Sequence, residues 1–182
     1  MLDAVAREWG GHADLWIFGY ASLIWRPEFE FAEQRPAVIR GYHRALKMWS
    51  RLNRGTPERP GLVFGLLPGG SCKGVAFRIP KAHVAAMLPA LWEREMPNGV
   101  YDPKWLRCQT TRGDVRALAF TLSKRSPNHT GVLSEEDYRQ IFSSACGRYG
   151  TTRDYAQLTY DKLREIGIHD RALGKLLRLS GD

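Results

Sequence analysis

The sequence predicts an α+β fold: a mainly antiparallel sheet, able to close into a small barrel, followed by helices. Three observations predict it. Short apolar segments bounded by turn formers crowd the first two thirds of the chain. One helical pattern interrupts them, and the last third is helical with capping signals. At 182 residues the chain suits one domain, residues 1–182, and can bury a full core without metal or disulfide staples. Its 43% hydrophobic and 25% charged residues describe a soluble globular protein and exclude wholesale disorder.

Residues 1–11 can form a short amphipathic helix. Residues 15–20 are apolar and predict a buried strand. Residues 37–51 alternate basic and apolar side chains, as strand does. The stretch RGTPERPG, residues 54–61, is too rich in Pro and Gly for regular structure. Residues 62–67 predict another strand, the turn signal PGGS follows, and residues 74–79 predict the next. Pro80 sits where a helix starts, because its missing N–H costs nothing there. The helix over 81–96 carries Val84, Met87, Leu88, Leu91 and Trp92 at i, i+3, i+4, i+7 and i+8. Pro89 should kink it. A loop at Pro97-Asn98-Gly99 leads into a strand over 100–108, and 114–123 predicts another. SKRSPNHTG is a loop. Ser134 and Thr151, each with acids following, resemble helix caps. The second of those helices carries Tyr155, Leu158, Thr159 and Leu163 and ends at Gly167. Asp170 caps a last short helix with Leu173, Leu176 and Leu177.

Several function classes are weakened at this stage. No apolar run approaches the roughly 18 residues that span a bilayer. The opening MLDAVAREWGG carries acids and lacks an apolar core, so it does not read as a secretory signal. The three cysteines, Cys72, Cys108 and Cys146, form no CxxC. They read as buried small hydrophobes in a reducing compartment, and a cytoplasmic location is expected. Five histidines are scattered without metal-ligand spacing, so no metal site is expected. The sequence holds no GxSxG elbow, no phosphate-binding Walker loop and no GxGxxG after a strand. The net charge is +8, and seven basic residues fall between Arg35 and Arg59. That excess suits either a polyanion or a small anionic ligand.

Two places can carry chemistry. In Trp16-Ile17-Phe18-Gly19-Tyr20-Ala21-Ser22-Leu23-Ile24-Trp25 a buried strand runs into a turn of small residues. Such a turn exposes successive backbone N–H groups to an anion. The competing reading is an ordinary strand-to-loop transition with aromatics in the core. The second place is Glu95. It lies eleven residues after Val84, about 20° away at 100° per residue, on the apolar face. Glu93 falls on the opposite, solvent face. A carboxyl half-buried among Leu91, Trp92 and Met96 has its pKa raised, as a general acid/base near neutral pH requires. The competing reading is a helix end that leaves Glu95 exposed or paired with Arg94.

The segments WIFGYASLIWRP, RGYHRAL, RGTPERPGLVFGL, GGSCKGVAFRIP, LWEREM and GTTRDYAQLTYDKLREIGIHD cover nearly the whole chain. In that order they resemble the ChaC-like γ-glutamylcyclotransferases, the glutathione-specific branch of that superfamily. The resemblance implies a small β-barrel flanked by helices. It implies cleavage of glutathione to 5-oxoproline and Cys-Gly, with no metal or organic cofactor. It makes Glu95 the acid/base. It puts the γ-glutamyl group on the turn Tyr20-Ala21-Ser22-Leu23, entered through Gly19, and sets Tyr155, here preceded by Asp154, near the pocket. Ala21 stands where the family usually has glycine, so its Cβ needs an unstrained φ or narrows the pocket.

The expected partner is therefore the small molecule glutathione, with no nucleic acid and no membrane, in a monomer or weak homodimer. Two rivals stand beside this expectation. One is a cyclotransferase acting on other γ-glutamyl amines or dipeptides. The other is a basic nucleic-acid-binding module built on the Arg35–Arg59 cluster, although no RNP, KH or helix-turn-helix pattern accompanies it.

Overall fold

The computed structural model, which describes residues 1–97 and 99–181, contains a closed five-stranded barrel. In chain order the elements begin with helix α1 (Leu2–Trp9), strand β1 (Leu15–Gly19) and the one-turn helix α2 (Ser22–Trp25). The long strands β2 (Glu33–Ser50) and β3 (Gly61–Ile79) follow, then helix α3 (Lys81–Glu95). Next come β4 (Asp102–Thr110), β5 (Val115–Thr121) and α4 (Glu135–Ser144). The chain finishes with the short hairpin β6 (Cys146–Gly147) and β7 (Gly150–Thr151), α5 (Thr152–Glu165), α6 (Arg171–Leu177) and a 3₁₀ turn, Arg178–Ser180.

The barrel order is β1-β3-β2-β4-β5. Strand β1 runs antiparallel to β3, with Leu15 opposite Ile79 and Gly19 opposite Val75. It closes the barrel by pairing in parallel with β5, Ile17 opposite Leu118. Strand β4 is antiparallel to both its neighbours, β2 and β5. The mainly antiparallel sheet and its closure thus match the expected α+β class. Among the described residues no helix is long and apolar enough to cross a membrane.

The chain packs as two compact units. The first comprises residues 1–43 and 66–123. Its core is Leu15, Ile17, Phe18, Ile39, Phe77, Ile79, Leu118 and Phe120, all at most 1% exposed. The second comprises residues 44–65 and 124–182. It gathers Leu62, Tyr138, Phe142, Tyr155, Ala156 and Leu163 into a core of its own.

The capping signals are realised. Ser134 Oγ accepts from the Asp137 N–H at 3.1 Å, and the Asp137 carboxylate accepts from the Ser134 N–H at 2.7 Å. Thr151 Oγ1 accepts from Asp154 N at 3.0 Å, and Asp170 Oδ1 from Leu173 N at 2.9 Å. Each satisfies a first-turn donor that the helix itself leaves over. Gly167, at φ 76°, ends α5 in the left-handed conformation expected of it.

Four expectations are corrected. The strands anticipated at 62–67 and 74–79 are one element, because the Pro68-Gly69-Gly70-Ser71 signal bends β3 without ending it. Gly69 and Gly70 absorb the bend at φ 103° and 71°, and the Gly69 carbonyl stays within 2.9 Å of His43 Nδ1 on β2. Helix α3 includes Pro89 within its span, and its buried stripe is narrower than expected, Val84, Leu88 and Leu91. Leu158, expected on the inner face of α5, is 47% exposed. The strand expected over 100–108 is displaced by two residues at each end, and Asn98 of the preceding loop lies outside the described residues.

Candidate active site

In the first unit, the turn after β1 is shaped by a close approach of backbones. A Cβ on Gly74 would overlap the Gly19 carbonyl oxygen and lie 2.8 Å from the Phe18 ring. A Cβ on Gly19 would lie 2.9 Å from Phe77 and 3.2 Å from Leu23. Only glycine fits at either place, so β1 and β3 meet tightly where the strand turns into α2. Tyr20 is buried, and its hydroxyl donates to the Phe120 carbonyl at 2.9 Å, which ties the turn to β5.

Ala21 takes φ −144°, outside the left-handed region. Alanine is therefore carried where a glycine was the family's usual residue, with no glycine-only conformation demanded. The turn of small residues is the entry to α2, and the competing reading of a strand-to-loop transition does not describe it. Ser22 and Leu23 open that helix, so their N–H groups have no acceptor within it, while Ile24 N already donates to Ala21 O at 2.9 Å. Leu23 and Ile24 are buried and anchor the turn from below.

Glu95 is the last residue of α3, one turn beyond Trp92. Trp92 and Tyr101 set their rings 6.1 and 6.4 Å from that of Phe120, the residue whose carbonyl holds Tyr20. The Glu95 side chain keeps only 14% of its exposure. Burial pushes its carboxyl above the ordinary range; the charge of Arg94 opposes this and that of Glu28 adds to it. Both sequence readings of Glu95 are therefore partly met: it is largely buried, and it is paired, with Arg94 Nε 3.1 Å from Oε1. Glu93 is exposed, as its place on the helix predicts.

Arg94 joins the pieces. Its Nη2 donates to Ser22 Oγ at 3.4 Å, and its Nη1 to the Pro27 carbonyl at 3.0 Å and to Glu28 Oε2 at 2.9 Å. One guanidinium thus connects the acid/base candidate, the candidate binding turn and the segment after α2. Glu28 itself takes φ 57°, the left-handed region that costs a residue with a Cβ about 1 kcal/mol. It also accepts from Arg26 Nε at 2.5 Å. Beside this cluster lies a groove of about 450 Å³, with Pro27, Phe29, His83 and Met87 among its walls together with Glu28 and Arg94. Sequence reasoning considered Arg94 only as a pairing partner of Glu95 at a helix end and did not consider Glu28. The adjacency of Arg94 was visible; the left-handed turn that brings Glu28 back onto it was not.

Tyr155 belongs to the second unit. It is buried on α5, its hydroxyl accepts from the Phe64 N–H at 3.3 Å, and its ring lies 5.3 Å from that of Phe64. The Arg54 guanidinium sits over its face at 5.0 Å.

The basic run is occupied with the fold. Arg35 makes two hydrogen bonds to Glu33, at 2.7 and 3.0 Å, and Arg40 donates to Gln109 at 3.2 Å. Arg35, with Arg112 and Arg78, holds the Glu33 carboxyl down to about 2. In the second unit Arg44 pairs with Asp170, Lys47 donates to the Gly131 carbonyl, Arg51 to Asn128 and Arg54 to the Tyr149 carbonyl. Six of the seven basic residues in the run thus have internal partners. Among the described residues no group of three or more His, Cys, Asp and Glu gathers where it could hold a metal ion. Cys72 and Cys108 are buried as expected; Cys146 is exposed, a correction. It lies in the two-residue strand β6, too short to cover it.

Comparison with known proteins bears on this geometry. Residues 15–181 match the family model described as ChaC-like protein. The chain is 35% identical over 166 residues to the glutathione-specific gamma-glutamylcyclotransferase of Escherichia coli, covering 90% of this chain and 71% of that one. It is 34% identical over 166 residues to the human glutathione-specific gamma-glutamylcyclotransferase 1, covering 88% and 75%. Its fold superposes on the crystal structure of a selenomethionine-labelled, glutathione-specific gamma-glutamyl cyclotransferase from yeast with a TM-score of 0.82. That alignment has 20% identity and covers 92% of this chain and 96% of the yeast one.

Proposed function

The chain belongs to the ChaC-like protein family, and from that premise we propose that it is a glutathione-specific γ-glutamylcyclotransferase, a lyase that converts glutathione to 5-oxoproline and Cys-Gly. The observation that carries the proposal is the largely buried Glu95 carboxyl, linked through Arg94 to Ser22 of the small-residue turn.

The reaction is an intramolecular aminolysis. The substrate's α-amine attacks its own γ-carbonyl carbon, a C–N bond forms to close the five-membered ring, and the bond to the cysteinyl nitrogen breaks. No water is consumed. At neutral pH the α-amine is an ammonium and cannot attack. Glu95, ionised, takes that proton and returns one to the departing cysteinyl nitrogen. A carboxyl raised by burial is better matched to this exchange than an ordinary one. Gly19, Tyr20, Ala21, Ser22 and Leu23 bind the γ-glutamyl group, with the turn's N–H groups directed to its α-carboxylate or the developing oxyanion. Holding the chain folded for ring closure lowers the barrier by several kcal/mol, and by up to about 7–11 in well-oriented systems. Tyr155 is a further substrate-binding residue by its match to the family's C-terminal motif.

Glutathione is a net anion, so a chain of net charge +8 attracts it without any polyanion partner. Three free thiols suit a reducing cytoplasm. A monomer or weak homodimer suffices for a small-molecule reaction of this kind. The test is incubation with glutathione and chromatographic detection of both products. Glu95→Gln keeps the shape and removes the base, and its turnover is expected to fall at least about 100-fold. Wild-type turnover by the purified variant would overturn the assignment of Glu95.

A further inference from the structure

Resting on the reading of Glu95 as the acid/base, attention falls on a second carboxylate, Glu28, held by the same arginine. Arg94 lies against Glu95 at 3.1 Å, and an arginine acting there alone would favour a carboxyl that stays ionised, against the upward push of burial. Such a group takes a proton from the substrate poorly and has little to return. Arg94 is not left to Glu95. Its Nη1 is turned to Glu28 Oε2 at 2.9 Å and to the Pro27 carbonyl at 3.0 Å, and its Nη2 to Ser22 Oγ. Glu28 reaches it only because its backbone adopts φ 57°, an unfavourable conformation for a glutamate. Arg26 pairs with the other oxygen of the Glu28 carboxylate.

We propose that Glu28 is a positioning residue for the cyclisation: by engaging the Arg94 guanidinium it neutralises the charge facing Glu95 and leaves that carboxyl free to take up and release a proton. The charged groups that act on Glu95 are Arg94 from its own helix and Glu28 from the segment after α2; Ser22 contributes a neutral hydroxyl. Farther along the same groove His83 and Glu30 face each other at 3.9 Å, both well exposed and screened by solvent. Arg26 acts through Glu28.

The experiment is the pH dependence of kcat/KM for 5-oxoproline release from glutathione by wild type, Glu28→Gln, Glu28→Asn, Arg94→Gln and Glu95→Gln. Removing the Glu28 charge exposes Glu95 to the whole of Arg94, so the acidic limb is expected to move down by about one pH unit. Arg94→Gln moves the limb up, and the double variant Glu28→Gln, Arg94→Gln lies with Arg94→Gln. A structural role alone would alter rate or melting temperature without moving the limb. Asparagine tolerates the left-handed region, so Glu28→Asn supplies a folded variant if glutamine does not. Where turnover is too low, ¹³C titration of the Glu95 carboxyl gives the same answer without substrate. An unmoved limb, or an unmoved carboxyl titration, in a folded charge-removed variant overturns the proposal. Failure of the parent assignment is distinct: Glu95→Gln would then turn over with the wild-type limb.

Discussion

Asp170 holds Arg44 with its carboxylate, Oδ2 to Nη2 at 2.5 Å, while its other oxygen caps α6 through Leu173 N. The arginine side chain is 4% exposed. Removing the acid therefore takes away a cap and leaves a buried guanidinium without this carboxylate. Asp170→Ala is expected to cost about 3 kcal/mol in urea unfolding, the low end for a broken buried pair because Asp170 keeps some solvent contact. Asp170→Asn restores the cap and is expected to recover about 1 kcal/mol of that loss.

Glu95 links activity to stability with a defined sign. Its folded-state pKa lies above the unfolded value of 4.5. Its contribution to stability is therefore complete below 4.5 and is lost as pH rises through the folded value. At neutral pH the ionised carboxylate is a burden that the fold carries for the chemistry. Glu95→Gln should accordingly melt at a higher temperature than wild type at pH 7, with the difference vanishing below 4.5. A variant that is both inactive and less stable at neutral pH would contradict this.

Much of the framework was readable in the residues, and the reasons for the rest are specific. The caps at Ser134, Thr151 and Asp170 depend on a side chain three residues from its donor, which is local. The face of Glu95 follows from helical arithmetic, which is also local. The Pro68-Gly69-Gly70-Ser71 signal misled because the pairing of β3 with its neighbour outweighs a local preference to turn. Leu158 misled because apolar spacing marks a stripe on a helix without saying how wide the covering surface is. Glu28 was invisible because nothing in Pro27-Glu28-Phe29 announces a positive φ on a glutamate. Its role depends on Arg94, 66 residues away along the chain.

Gly74 should prove intolerant of substitution. An added methyl meets the Gly19 backbone and the Phe18 ring rather than a flexible side-chain end. Gly74→Ala is expected to destabilise by about 3 kcal/mol and to raise KM for glutathione, since the strain falls at the start of the turn proposed to bind substrate. Calorimetry and steady-state kinetics check both halves of the prediction.

The thiols should divide by exposure. Cys146 is expected to react rapidly with a thiol reagent in the native protein. Cys72 and Cys108 should react only on unfolding; burial pushes the Cys108 thiol up to about 12, leaving almost no thiolate at neutral pH. One fast thiol per chain in a native titration, and three in denaturant, is the expected count.

The parallel seam between β1 and β5 has a consequence for biosynthesis. Trp16 and Ile17 meet Ala117 and Leu118, and Tyr20 bonds to a residue 100 positions downstream. On the ribosome, β1 emerges early and waits for its last neighbour until β5 has been made. Until then its edge is an unpaired, apolar template for other chains. A nascent chain stalled before residue 115 is thus the species most in need of chaperone cover, and overexpression should strand it in inclusion bodies first.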